Sequence, residues 1–321
     1  MNLPKILIPV FVFISTAANA QHYTAIHGSN SFGSLSVYNN PSSIVSSPYK
    51  WDLTLFGMQF QTISNALQGK NFPLYLAPGD GFSAAEGNFA RKASVNLNIH
   101  LLNARYAFDK NHAIAFGVNM RAYTQANSSP IDYTDSVKGP RSFLSLNEQN
   151  HSLDVHFTSS AWMEIYGSYG LTIFDQETNR LTAGATLKVF RGMSGAFAHA
   201  QHVTVEKTQV GDQFIYTVGN GSAKYGYSAN HGDGSSFQAS DLFSNSKMGF
   251  GVDLGAEYTI KSQAVPSVYD ESGESDYQWK IGFSLLDLGS NKYQYGSQSR
   301  AVSGLNENVT SDVLQAKFVS T

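Results

Sequence analysis

The chain has 321 residues, a formal net charge of -3, 14% charged and 13% aromatic residues, 28 glycines and no cysteine. A balance this close to neutral excludes a basic nucleic-acid-binding face, and the missing cysteines exclude both disulfides and thiol-based lipid attachment after export. Beyond the first residues no apolar run approaches the roughly 18 residues of a spanning helix, so a membrane protein of this sequence must be a closed strand barrel.

Residues 1–20 read as a cleaved secretory signal. Lys5 supplies the positive start, residues 6–14 the apolar stretch, and Ala18-Asn19-Ala20 the small-residue cleavage site. Residues 21–50 are polar and turn-rich, with Gly28, Gly33 and the run Asn39-Asn40-Pro41-Ser42-Ser43, and are expected to form a periplasmic or lumen-facing segment with a short plug role. A barrel is expected over 51–321, with its first crossing at 51–62 and a long loop over 65–91.

The stretch 95–123 carries the strongest signal. Val95, Leu97 and Ile99 alternate with Asn96, Asn98 and His100; the phase then slips at Leu101-Leu102, and Ala104, Tyr106 and Phe108 alternate with Asn103 and Arg105. After the polar turn 109–112, Ile114, Phe116, Val118 and Met120 alternate with Ala115, Gly117, Asn119 and Arg121. This pattern predicts a long two-faced hairpin with a β-bulge at the slip. In a transmembrane barrel the apolar face meets lipid and the polar face lines the lumen, at about 10 residues per crossing.

Residues 125–157, interrupted by Pro130 and Pro140, read as a long loop. Further crossings are expected at 161–173, 181–189, 248–260 and 279–285, with a short turn at 175–179. Residues 192–247 form the longest interruption, in which HVTVEKTQV and QFIYTV flank Gly211-Asp212 as a candidate outer hairpin. Long loops alternate with short turns, as expected of a barrel with short periplasmic turns; the connector 261–276 departs from that rule. Seven crossings are visible, and 309–319 supplies an eighth. The sequence reading favours a chain that stops before its barrel is complete.

The fold class expected is therefore all-β, an antiparallel transmembrane β-barrel of the bacterial outer membrane. The stretches NNPSSIVSSPYKWDLTLFG, GFGVDLGAEY and WKIGFSLLDLG resemble an uncharacterised outer-membrane barrel family of the Bacteroidota, in which an Asn-Pro-Ala/Ser motif precedes the first strand. Asn40-Pro41-Ser42 is also similar to the Asn-Pro-Ala of long-chain fatty-acid transporters, with Ser42 in place of alanine. There the segment belongs to a gating plug, and the resemblance implies a channel for hydrophobic solutes.

The ionisable residues expected to face the lumen are His100, Arg105, Arg121, Glu164, Lys188, Asp253, Glu257 and Lys280. Such a set either fills a narrow lumen as a salt-bridge network or lines a path for solute. Arg105 and Arg121 are expected to be lumen neighbours awaiting an acidic partner, with Glu164, Asp253 and Glu257 the candidates. His199 and His202 could share a metal only on a helix, and no third ligand stands nearby, so no metal or cofactor is expected. GFGVDLG places glycines on the lumen face of a strand and lacks the βαβ setting of a phosphate loop. No G-x-S-x-G elbow occurs, and no enzyme activity is expected. The reading is a passive channel or transporter for small solutes, with outer-membrane lipid as its surroundings. The alternatives are an assembly or surface-attachment barrel whose loops 125–157 and 192–247 bind a protein partner, and a soluble secreted β-protein.

Overall fold

The computed structural model describes residues 33–70, 81–149, 152–211, 213–219, 221–231, 243, 246–261, 277–297, 299–303 and 309–310. The leader 1–20, the connector 262–276 and residues 311–321 lie outside the described residues. The alternating stretch 95–123 forms the middle of β5 (Gly87–Ala107) and β6 (His112–Tyr133). Asp109 makes the turn between them, its carboxylate accepting from the N–H groups of Asn111 at 2.7 Å and His112 at 2.8 Å. The register shifts between His100 and Leu102. This bulge keeps Asn98, His100, Asn103 and Arg105 on one buried face.

Around this hairpin the described residues form a twelve-stranded sheet and a separate two-stranded one, with every pairing antiparallel. β1 (Trp51–Thr54) and β2 (Gly57–Ser64) both pair with β5, while β3 (Leu67–Lys70) and β4 (Gly81–Ala84) pair only with each other. β6 pairs with β7 (Leu153–Asp175), which pairs with β8 (Asn179–Val210). β8 is 32 residues long and takes three neighbours in succession. Its first part, 179–191, pairs with β11 (Met248–Lys261), which carries β12 (Tyr277–Ser290). Residues 196–201 pair with β10 (Ser222–Tyr227) and, beyond it, β13 (Arg300–Ser303). The last part, 204–210, pairs with β9 (Gln213–Gly219) and its neighbour β14 (Val309–Thr310).

Three sequence expectations need correction. Much of 125–157 is strand, since β6 runs to Tyr133 and β7 begins at Leu153. Gln125, Asn127 and Ser128 read as loop because a strand polar on both faces has no apolar alternation. Pro130 is tolerated because it lies opposite Ala90, next to the register shift between Ala90 and Lys92. Residues 192–247 likewise continue β8 and add β9 and β10, with Gly211 at φ +64 in the tip of the expected outer hairpin. The segment 65–91 contains β3, β4 and the start of β5 rather than one loop. Of the candidate eighth crossing 309–319 only Val309–Thr310 lies among the described residues, paired with β9.

The burial pattern is inverted relative to a water-soluble sheet. Asn98, Asn119, Glu164 and Asp253 are at most 1% exposed, whereas Leu187, Phe250 and Trp279 are each 68% exposed. The sheet is also rolled. β6 and β12 stand four strand steps apart, about 19 Å on a flat sheet, yet Arg121 on β6 meets Asp287 on β12 at 2.8 Å.

Two 3-10 turns, Gly33–Tyr38 and Pro41–Val45, lie inside the roll. Val37, Tyr38, Ile44 and Val45 form an apolar cluster there with Ala113, Ala115 and Tyr166. At the far end of the long strands, α1 (Pro140–Leu146) packs Leu144 onto Leu153, Val203, Val205 and Tyr216. Asn147 fixes it, accepting from the Asp132 N–H at 2.8 Å and donating to the Asp132 and Phe143 carbonyls at 2.9 and 3.0 Å. The Asn147→Ala variant should lose about 1–3 kcal/mol locally, because the Asp132 N–H loses its partner. Amide hydrogen exchange should accelerate in α1 while β7 and β11 keep their protection.

Candidate functional site in the interior of the roll

The interior is built in levels, beginning with the N-terminal segment. Asn40 precedes Pro41, and its side-chain oxygen accepts from the Ser42 N–H and hydroxyl at 3.0 and 2.7 Å, capping the second turn. Its amide nitrogen donates to the carbonyls of Ala256 at 3.0 Å and Phe283 at 3.3 Å, which are register partners on β11 and β12. Glycines on the interior face make room for this segment. A side chain at Gly184 would strike the Pro41 backbone, one at Gly255 the Asn40 amide, and one at Gly170 the Val45 and Ile44 side chains. Arg105 secures the exit of the segment by donating to the carbonyls of Ile44, Ser47 (3.3 Å) and Tyr49 (2.6 Å), with Asp52 at 3.6 Å. Ser43 donates to Glu257 at 3.0 Å, and Glu257 pairs with Lys280 at 3.4 Å.

The level above is a charge network. Arg121 meets Glu164 at 3.2 Å and grips both oxygens of Asp287 at 2.8 Å. Lys188 meets Asp253 at 2.6 Å and Asp287 at 2.7 Å. The rings of Tyr123 and Trp162 flank the Arg121 guanidinium at 5.0 and 5.2 Å. His100, Asn103 and Asn119 join this level to Tyr38 of the N-terminal segment through short polar contacts.

All eight ionisable residues expected to face the lumen lie on this buried face. The expected pairing of Arg105 with Arg121 does not occur. Arg105 sits opposite Ala115 and Arg121 opposite Asn98, which puts the two about six residues, or about 20 Å, apart along the hairpin. Each finds its own carboxylate, Asp52 and Glu164. Asp287 is the residue that sequence reasoning missed. It shares parity with the outward Trp279, Ile281, Phe283 and Leu285, so alternation alone points it away from the interior. A register shift opposite residues 252–254 and a positive φ of 56° at Asp287 turn it inward.

Residues 41–319 match the model of the Family of unknown function (DUF5723). The chain belongs to this family. No curated protein and no solved structure matches it. In this DUF5723 chain the matched region begins at Pro41, the residue seated against Gly184.

Above the charge network the segment 291–297 of the DUF5723 chain folds inward. The Tyr293 ring covers Gly192 and Gly195, and its hydroxyl meets Ser160 at 2.5 Å and the Ala161 carbonyl at 3.2 Å. Burial pushes this hydroxyl's pKa up against the opposing effect of Ser160, so Tyr293 stays a neutral donor. His199 is on β8, not a helix. It lies opposite His156 with the rings 5.0 Å apart, and His202 occupies a left-handed position at φ 55°. Among the described residues no three His, Cys, Asp or Glu side chains are placed to hold a metal.

Glu164 is fully buried and serves Arg121, Asn119 and Trp162 together. Glu164→Ala should therefore destabilise the fold by about 3 kcal/mol, the lower end for a broken buried pair, because Asp287 still faces Arg121. Urea unfolding in lauryldimethylamine oxide micelles, followed by tryptophan fluorescence, measures the change.

Proposed function

We propose that this chain is an outer-membrane β-barrel protein, exported by its first 20 residues, that passes small solutes through a lumen occluded by its own N-terminal segment. One observation carries the reading: the rolled sheet is apolar outside and charged inside. The exposed apolar residues form a band next to the short turns. It includes Ile165, Tyr169, Ile173 and Phe174 on β7, Leu187 and Val189 on β8, and Trp279 to Leu288 on β12. Ten residues of strand tilted by about 40° rise about 25 Å, the height of an outer-membrane barrel's apolar belt. Exposed Trp51, Phe108, Phe174 and Trp279 stand at the short-turn end, where an aromatic girdle belongs. Beyond the band, β6 and β8 carry Thr, Asn, Gln and His, consistent with strands that leave the bilayer.

Gly170, Gly184 and Gly255 lie within the strand segments that carry the band, so the N-terminal segment is held at membrane depth. Its anchors are hydrogen bonds from Asn40 and Ser43, apolar contacts and the Arg105 grip, and none of them belongs to the strand pairing of the wall. These features support a displaceable plug. The polar interior favours hydrophilic solutes over the hydrophobic ones that the resemblance to fatty-acid transporters implies. A second reading, a barrel that holds a protein partner, draws support from the rigid outer platform of α1 and the β8–β9 hairpin.

Two experiments test the proposal. Leu187→Arg should cost about 2–4 kcal/mol in lipid because it places a charge on the lipid face, while Gln201→Arg on the outer arm should cost almost nothing. Equal losses, or recovery of the mature chain as a soluble monomer without detergent, would end the membrane reading. In planar bilayers Gly184→Val should unseat Pro41 and raise conductance severalfold above the wild type. Conductance unchanged in both Gly184→Val and Asn40→Ala would leave the partner-holding reading in its place.

A further inference from the structure

The geometry points to a binding site for a neutral saccharide in the outer interior, between the inward-folded segment 291–297 and the wall formed by β7, β8 and β10. It names a solute class for the proposed lumen and rests on that reading. The cavity there measures about 400 Å³, inside the range of about 300–1,000 Å³ typical of small-molecule sites. Phe197, Tyr227, Tyr293 and Tyr295 bring aromatic rings to it, and Asn291 and Gln294 bring amides. Phe197 and Tyr295 meet edge to face with centroids 6.1 Å apart, so the ring wall is preformed.

Two features select the ligand. Among the described residues no charged side chain lines the cavity, although the charge network is the next level down, so the site as described offers no ion pair to a ligand. The side-chain oxygen of Asn291 is buried and accepts no hydrogen bond among the described residues. A buried acceptor without a partner is destabilising, and a ligand hydroxyl that donates to it once the Asn291 side chain turns toward the cavity recovers that loss. An apolar chain cannot supply the donor. An anion brings acceptors where a donor is needed, and among the described residues no cation lines the cavity to meet its charge. A neutral sugar has both requirements: C–H faces that lie against aromatic rings, and hydroxyls that donate to an amide oxygen.

The test uses the full mature chain purified in lauryldimethylamine oxide, which carries no sugar headgroup. Maltotriose, cellotriose and xylotriose are titrated by isothermal calorimetry, with laurate and a triglucuronate as comparators. At least one neutral trisaccharide should bind saturably, and Tyr295→Ala and Asn291→Leu should each weaken it about tenfold, as expected when a central contact is truncated. Tyr295 is 69% exposed, so its replacement leaves the fold intact, and an unchanged heat-modified gel mobility verifies this for both variants. No binding of the three trisaccharides at concentrations up to about 10 mM, a limit near the weak end of specific affinity, overturns the site. So does binding that both variants leave unaltered, or laurate binding that Tyr295→Ala abolishes. Calorimetry is independent of flux: sugar binding by a chain that conducts nothing keeps the site and removes the pore, and conduction without sugar binding does the reverse.

Discussion

The Asp287 carboxylate is the point on which the interior depends. It is held by Arg121 from β6 and Lys188 from β8, and its own N–H donates to Asp253 on β11 at 2.6 Å. Strands four steps apart in the sheet are thereby joined across its concave side. A rolled sheet with charges inside must satisfy each of them, because a buried cation without a counter-charge is unaffordable in a low-dielectric setting. The two cations and three carboxylates of this level meet that demand only when the roll brings β12 to β6. The curvature of the wall and the pairing of the charges are one condition.

Beneath that level the fold depends on what the wall lacks. Gly170, Gly184 and Gly255 leave a trough, and the N-terminal segment fills it with Pro41, Asn40 and the Ile44–Val45 pair. Asn40 contributes its cap to its own turn and its amide to two neighbouring strands. A short segment without an α-helix is thus held at three places: at β11 and β12 by Asn40, at β7 and β8 by close packing, and at β5 by Arg105. Above, Tyr293 uses the same device, laying a ring over Gly192 and Gly195. Glycines on an inward face mark where another part of the chain approaches the wall.

That rule explains a signal present in the sequence but unread there. The alternating glycines around residues 249–255 identify an interior face, yet they carry no record of what lies against it. Likewise the outer halves of β6, β7 and β8 were hidden as loops. Runs such as 124–130 and 158–160 are small, polar or proline, so periodicity is lost while backbone pairing continues. Asp287 was hidden for a different reason: a bulge and a left-handed residue reverse the facing that strict alternation assigns.

The sequence by itself determined the antiparallel strands 95–123, 161–173, 181–189, 248–260 and 279–285, the two faces of each, the bulge at Leu101, and the inward placement of eight ionisable residues. Period-two alternation is a local property, and one polar face against one apolar face suffices to write it. Which charge meets which, where the N-terminal segment sits, and how β8 shares its length among β11, β10 and β9 were decided only by the tertiary structure. Those outcomes depend on register, bulges and curvature summed over many strands. A single-residue shift redirects a side chain, and no local pattern fixes that sum.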